Sequence, residues 1–203
     1  MGSDPVHGGL RADLRLLTVS LARAAGDLAH RRIHQPTGHV GRRLHFADGT
    51  TTRVYRETVI DGPCAGAPVV LVVTFRLRRV RSGTWHALFR WESLANTVLF
   101  VGFPGFASKL WCAHDELGAY RGLYQWDGAD RAEAYVAALR RVLALVSEPS
   151  SIRHAVLPGL VRDDLLADPS LLDDPSLLDG AAVGSDRAWW RLVGTDRPVE
   201  PVD

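Results

Sequence analysis

Read as a helix at about 100° per residue, the segment Trp85 to Phe100 gathers its reactive side chains on one side. His86, Arg90, Ser93 and Thr97 follow at steps of four, three and four, with Asn96 beside them, while Ala87, Leu88, Trp91, Leu94, Ala95, Val98 and Leu99 share the other side. An imidazole, a guanidinium and an amide in one row offer a proton carrier, a fixed positive charge and a hydrogen-bonding dipole. The commoner fate of such a row is a solvated helix face. It becomes a site only if another part of the chain folds over it.

A second group lies on two short aromatic runs, 108–113 and 120–126. Strand alternation puts Lys109 with Trp111, and Tyr124 with Trp126, each pair on one face of its strand, and Arg121 on the face opposite Tyr124. Either pair can point toward helices or toward a second subunit's sheet. Strand aromatics usually fill cores, yet their concentration here suits a planar, apolar ligand. Lys109 is the only lysine in the chain. A GC-rich coding sequence that turns lysine codons into arginine codons accounts for the bias, but one lysine kept inside an apolar strand draws attention. A Schiff-base role for it would require a buried amine of depressed pKa.

The elements that must position these groups follow the sequence closely. Pro68 to Leu77 is a continuous β-branched run, as in a strand buried on both faces. The runs 108–113 and 120–126 flank a polar loop, His114 to Gly118, and read as a hairpin. From Ala129 to Val146 the apolar residues recur at helical steps; Pro149 stops that helix, and Ile152 to Leu157 returns as a strand. With the helix at 85–100 the order is β-α-β-β-α-β, the ferredoxin-like arrangement of two helices on one face of a four-stranded antiparallel sheet. The expected class is therefore α+β.

Before this core, Leu10 to His30 is an amphipathic helix, and Arg42 to Ala47, Asp48-Gly49 and Thr50 to Ile60 read as a hairpin. After it, an acidic stretch repeats DPSLLD at 168–173 and 174–179, each copy with an Asp cap and a proline at the first helical position. Ala188 to Val193 is a late apolar segment suited to docking on the body or on a second subunit. Three units are expected: an N-terminal helix and hairpin over 1–66, the ferredoxin-like core over 67–160, and the C-terminal extension over 161–203.

The stretch PGFASKLWCAHDELGAYRGLYQWDGADRAEAYVAAL, closing with RHAVLPGL, resembles the YdhR-type putative monooxygenases of the dimeric α+β barrel superfamily. The likeness spans about Ala67 to Leu160 and is carried by structural motifs: the PGF turn, the K-L-W and G-L-Y-x-W strands and the A-E-A-Y helix. It implies a homodimer whose second subunit covers the open sheet face, unless the additional 66 N-terminal residues supply that cover and leave a monomer, and a cavity between sheet and helices that takes aromatic substrates. In that setting Arg90 would hold a phenolate or enolate, His86 would move a proton and Asn96 would orient a carbonyl, as catalytic residues. Trp91, Lys109, Trp111, Arg121, Tyr124 and Trp126 would line the substrate.

Composition excludes several classes. The 203 residues are 46% hydrophobic and 23% charged, ordinary for a globular protein, and the net charge of +1 with no basic tract gives no case for nucleic acid. Two cysteines, Cys64 and Cys112, are too few for a disulfide scaffold. The histidines at 30, 34, 39 and 45 match no zinc spacing, so no metal is expected. No Rossmann, P-loop, nucleophile-elbow or H-E-x-x-H motif occurs, which points to no cofactor. Charges within the first helix interrupt any signal-peptide core, and no run approaches a membrane span, so a cytoplasmic location is expected. Two readings remain open. One is a tailoring enzyme, a cofactor-independent monooxygenase-like or cyclase-like protein acting on an aromatic or polyketide-type small molecule. The other is a non-catalytic small-molecule-binding or interaction protein on the same barrel.

Overall fold

The computed structural model describes residues 32–62, 66–78, 101–175, 186 and 188–196. Among these residues eight strands form one antiparallel sheet: β1 (Ile33–His34), β2 (Arg43–Phe46), β3 (Thr51–Ile60), β4 (Pro68–Arg76), β5 (Phe106–Cys112), β6 (Ala119–Asp127), β7 (Arg153–Pro158) and β8 (Leu192–Asp196). Their order is β7-β4-β6-β5-β3-β2-β8, with β1 added along β3. The first four in that list are the strands expected of the ferredoxin-like core, in its order. The helix α1 runs Ala129–Val146, and a short helix α2 occupies Arg162–Ala167. The expected helices at 10–30 and 85–100, and most of the second DPSLLD copy, lie outside the described residues.

Central β4 explains the layering. It pairs with β6 along its length and with β7 from Val69 to Thr74, and side chains on both of its faces are buried. Val69, Leu71 and Val73 belong to one buried cluster, and Val70 and Val72 to another. The first cluster is roofed by α1 through Ala132, Tyr135, Val136, Leu139 and Leu143, which recur at helical spacing. The helix begins at Gly128, whose φ of 98° lets the chain turn sharply out of β6.

The second face, where the sequence leads one to expect another subunit, is filled by the chain's own extensions. Leu44, Phe46 and Val54 from β2 and β3 join Leu165 and Leu166 of α2, Leu172, Trp189, Trp190 and Leu192 against Leu110, Leu123 and Leu157. These residues and the second face of β4, β5, β6 and β7 form one buried cluster. The late apolar segment thus docks on the body and ends as an additional strand, β8, paired with β2. The first DPSLLD copy forms a 3-10 turn in which Asp168 accepts the Ser170 N–H, and its Leu172 enters this core.

Two buried ion networks fasten the cover to the sheet. The Arg121 guanidinium donates to Asp115 at 2.6 Å, to Asp48 at 2.9 Å and to the Trp189 carbonyl at 3.2 Å. Arg162 donates to Glu57 at 2.6 Å, its backbone N–H donates to the Gln125 side-chain oxygen at 2.6 Å, and His39 pairs with the other Glu57 oxygen at 2.9 Å. Burial works against the Glu57 charge, but the His39 hydrogen bond and the Arg162 charge outweigh it, so its pKa lies below the usual value. Among the described residues no helix is long and apolar enough to cross a membrane.

Candidate active site

Register decides which sequence candidates meet. Lys109 lies opposite Tyr124, and Trp111 opposite Gly122, so the Lys109–Trp111 pair and the Tyr124–Trp126 pair share one face of the sheet, the face that α1 covers. Arg121 faces the other way and is held in the ion network described above. Trp126 is fully enclosed, its ring 5.6 Å from Phe106 and 4.9 Å from Tyr135, so it backs the aromatic layer. His86, Arg90, Trp91 and Asn96 lie outside the described residues.

Strand β3 contributes to the same face. A bulge between Val54 and Arg56 changes which residues point to α1, and Arg56 and Thr58 come to lie opposite Trp111 and Lys109. The Trp111 indole N–H donates to the Thr58 hydroxyl at 3.0 Å, which fixes the ring. Against that ring sit two basic side chains, Lys109 with its Nζ 3.2 Å from the centroid and Arg56 with its Cζ at 4.0 Å. Such contacts favour the charged forms only modestly. Burial, and then the nearby Arg56 charge, hold the Lys109 pKa well below the ordinary lysine value. Arg56 loses hydration too, which pulls its pKa down, though a guanidinium stays protonated.

Two buried phenols continue the row. Lys109 Nζ lies 4.7 Å from the Tyr124 ring centroid, and the Tyr135 hydroxyl donates to the Tyr124 hydroxyl at 3.3 Å. Burial pushes both phenols above the ordinary tyrosine range, so both remain neutral donors at physiological pH. Gly122 makes space for this: a Cβ there would stand 2.8 Å from the Tyr124 ring. The ensemble is an amine whose pKa is lowered by burial, a fixed guanidinium and a phenol pair, walled by aromatic rings. It can take a proton from an acidic C–H or O–H and hold the resulting anion.

Sequence reading names Lys109, Trp111 and Tyr124 but misses Arg56, Thr58 and Tyr135. The apolar spacing of α1 does mark Tyr135 as facing the sheet; nothing local marks its hydroxyl partner. The histidines disperse: His34 pairs with Asp61, His39 with Glu57, and His45 with Thr51 and Asp196. Among the described residues no three His, Cys, Asp or Glu side chains gather as metal ligands.

No protein-family model matches the chain, and no curated protein matches it by sequence. Solved structures do resemble it at low identity. A ferredoxin-fold protein related to antibiotic biosynthesis monooxygenases, from Listeria monocytogenes, is 15% identical over 56% of this chain and 66% of its own, with a TM-score of 0.41. A heme-degrading enzyme from the same organism is 13% identical over 64% of this chain and 97% of its own, with a TM-score of 0.42. An anthrone oxidase-like protein is 17% identical over 55% of each chain, with a TM-score of 0.35. The chain thus spans less than two thirds of the first and third of these.

Proposed function

We propose that this protein is an enzyme that removes a proton from a small, electron-rich aromatic substrate, in the manner of a cofactor-independent monooxygenase or a cyclase. The observation that carries the reading is the buried Lys109 amine, held at low pKa beside Arg56 on the Trp111 ring and next to the Tyr124–Tyr135 hydroxyl pair. Lys109 takes the proton of a phenol or anthrone, becoming an ammonium, and Arg56 holds the arenolate. In the oxygenating version the anion gives one electron to dioxygen. The two radicals combine to a peroxide anion, the Lys109 ammonium returns its proton to give the hydroperoxide, and this loses water to leave a carbonyl at the attacked carbon. His86, Arg90 and Asn96, on the segment expected to be helical, are proposed to contribute to the same site, with Arg90 as a second anion-binding group. The chain's own cover over the second sheet face supports a single chain, in place of a homodimer, as the working unit.

Oxygen uptake by the metal-stripped protein with a panel of anthrones and hydroquinones tests the reading. Loss of a positioned base costs about 10²- to 10⁴-fold, so Lys109→Met is expected to abolish measurable uptake, and Arg90→Ala to weaken it. Turnover in Lys109→Met at the wild-type rate would refute the assignment. Saturable binding of the same compounds without uptake or a change in product mass would favour the non-catalytic reading.

A further inference from the structure

An open cleft of about 250 Å³ lies on the same face of the sheet as Lys109 and is lined by Ile60, Phe103, Phe106, Ala107 and Arg131 among others. Ala107 and Ile60 sit two residues along their strands from Lys109 and Thr58, roughly 7 Å at the rise of a β-strand. The floor of the cleft is the end of the aromatic layer: Phe103 and Phe106 are buried and pack edge-on to Tyr135 and Trp126.

Arg131 at the rim is held in place. Its stem passes over Gly105, where a Cβ would stand 2.6 Å from Arg131 Cδ, so only glycine leaves that channel open. Its Nη1 donates to the Asp127 carbonyl at 3.3 Å and to the Asp127 carboxylate at 3.1 Å. Asp127 is itself anchored by the N–H groups of Gly66 at 3.0 Å and Ala67 at 3.1 Å. The other rim carboxylate, Asp61, is bonded to His34 at 2.7 Å. Among the described residues Arg131 Nε and Nη2 donate to nothing, which leaves the edge of the guanidinium that matches a carboxylate in a two-pronged contact.

We infer that the cleft binds a small aromatic carboxylate, its ring against Ile60, Phe103 and Phe106 and its carboxylate on Nε and Nη2 of Arg131. The volume admits a ligand of about two fused rings. As an anchor for the substrate of the reaction above, this assignment rests on that reading; as a binding site it stands on its own lining.

The test is calorimetric titration of the full chain with 2-naphthoate and with the neutral 2-naphthamide, in wild type and in Arg131→Gln. Arg131 is about half exposed, so the variant is expected to fold. Saturable binding of one naphthoate per chain, weakened about tenfold or more in Arg131→Gln with naphthamide affinity unmoved, is the expected result. Absence of saturable naphthoate binding, or equal affinity in the two proteins, would overturn the assignment. Naphthoate binding that depends on Arg131 in a protein that shows neither oxygen uptake nor a changed product would refute the reaction and leave the cleft standing; turnover with naphthoate binding indifferent to Arg131 would refute the cleft alone.

Discussion

The lowered pKa of Lys109 leaves a signature in how stability varies with pH. Its folded pKa is lowered by burial and by the Arg56 charge, whereas in the unfolded chain a lysine titrates near 10.4, about its model-peptide value. Between those two values the unfolded chain carries one proton more than the folded one, so unfolding free energy rises with pH, by up to about 1.4 kcal/mol per pH unit. Below the folded value both states are protonated and the full penalty of burying the ammonium is present; above the unfolded value it is gone. Cys112, pushed up to about 12 by burial, and the buried Tyr124 and Tyr135 act in the opposite sense. Their unfolded forms ionise first, and stability falls as pH passes roughly 8.5 for the thiol and 10 for the phenols. Wild type alone would therefore show a sum. Urea unfolding of wild type and Lys109→Met at matched pH isolates the lysine, because methionine keeps the apolar stem and the other groups cancel in the difference. The expected outcome is a variant more stable than wild type at pH 7, with the gap closing as pH rises toward 10. A difference that stays flat over that range would mean that the amine is charged in the fold, and the base assigned to it would fall.

Arg162→Met leaves the Glu57 carboxylate buried with only His39 beside it, and is expected to cost about 3–5 kcal/mol, read from the urea midpoint; adding Glu57→Gln should restore part of the loss. Since the Glu57 pKa is lowered in the fold, its stabilisation is present above about pH 4.3 and disappears as pH falls through the folded value, so Glu57→Gln should flatten the acid limb of the stability curve. Gly122→Ala places a methyl 2.8 Å from the Tyr124 ring and should destabilise by about 1–3 kcal/mol, with a changed near-ultraviolet circular dichroism spectrum. Light scattering should give the mass of one chain, 22.2 kDa, because the second sheet face is already covered; twice that mass would place a second copy on some other surface.

What could be read in the sequence is what local periodicity encodes. The helix expected at Ala129 to Val146 has those ends in the structure, and the strands of the core and of the N-terminal hairpin fall within two residues of expectation. The rest depends on pairing between distant segments. Strict alternation in β3 would put Val54, Arg56 and Thr58 on one face, but the bulge sends Val54 to the second-face core and Arg56 to Trp111. That single irregularity hid the second cation of the site. Likewise β8 exists because residues near 194 pair with residues near 45, a contact that no local pattern announces. Lys109 was visible through its rarity, and Arg121 looked equally available until Asp48 and Asp115 closed on it.

The two faces of the sheet treat buried charge in opposite ways. On the second face, Arg121 and Arg162 each meet a carboxylate at 2.6 Å; the Arg162–Glu57 bond joins segments far apart in the chain, and Arg121, besides its local bond to Asp115, reaches the distant Asp48 at 2.9 Å. Asp48 lies in the β2–β3 turn, Asp115 in the β5–β6 turn, and the Trp189 carbonyl lies in the cover, so one guanidinium sets how three pieces sit together. Buried pairs of this kind add little net stability but punish any arrangement that separates them. On the helix face two basic groups, the Lys109 amine and the Arg56 guanidinium, instead share one indole, at 3.2 and 4.0 Å. That arrangement lowers the Lys109 pKa at a cost to the fold, and a fold that satisfies its charges elsewhere has no structural use for it. Local conflicts of this type concentrate where a protein does chemistry, which is the physical ground for placing the reaction at Lys109 rather than at Arg121.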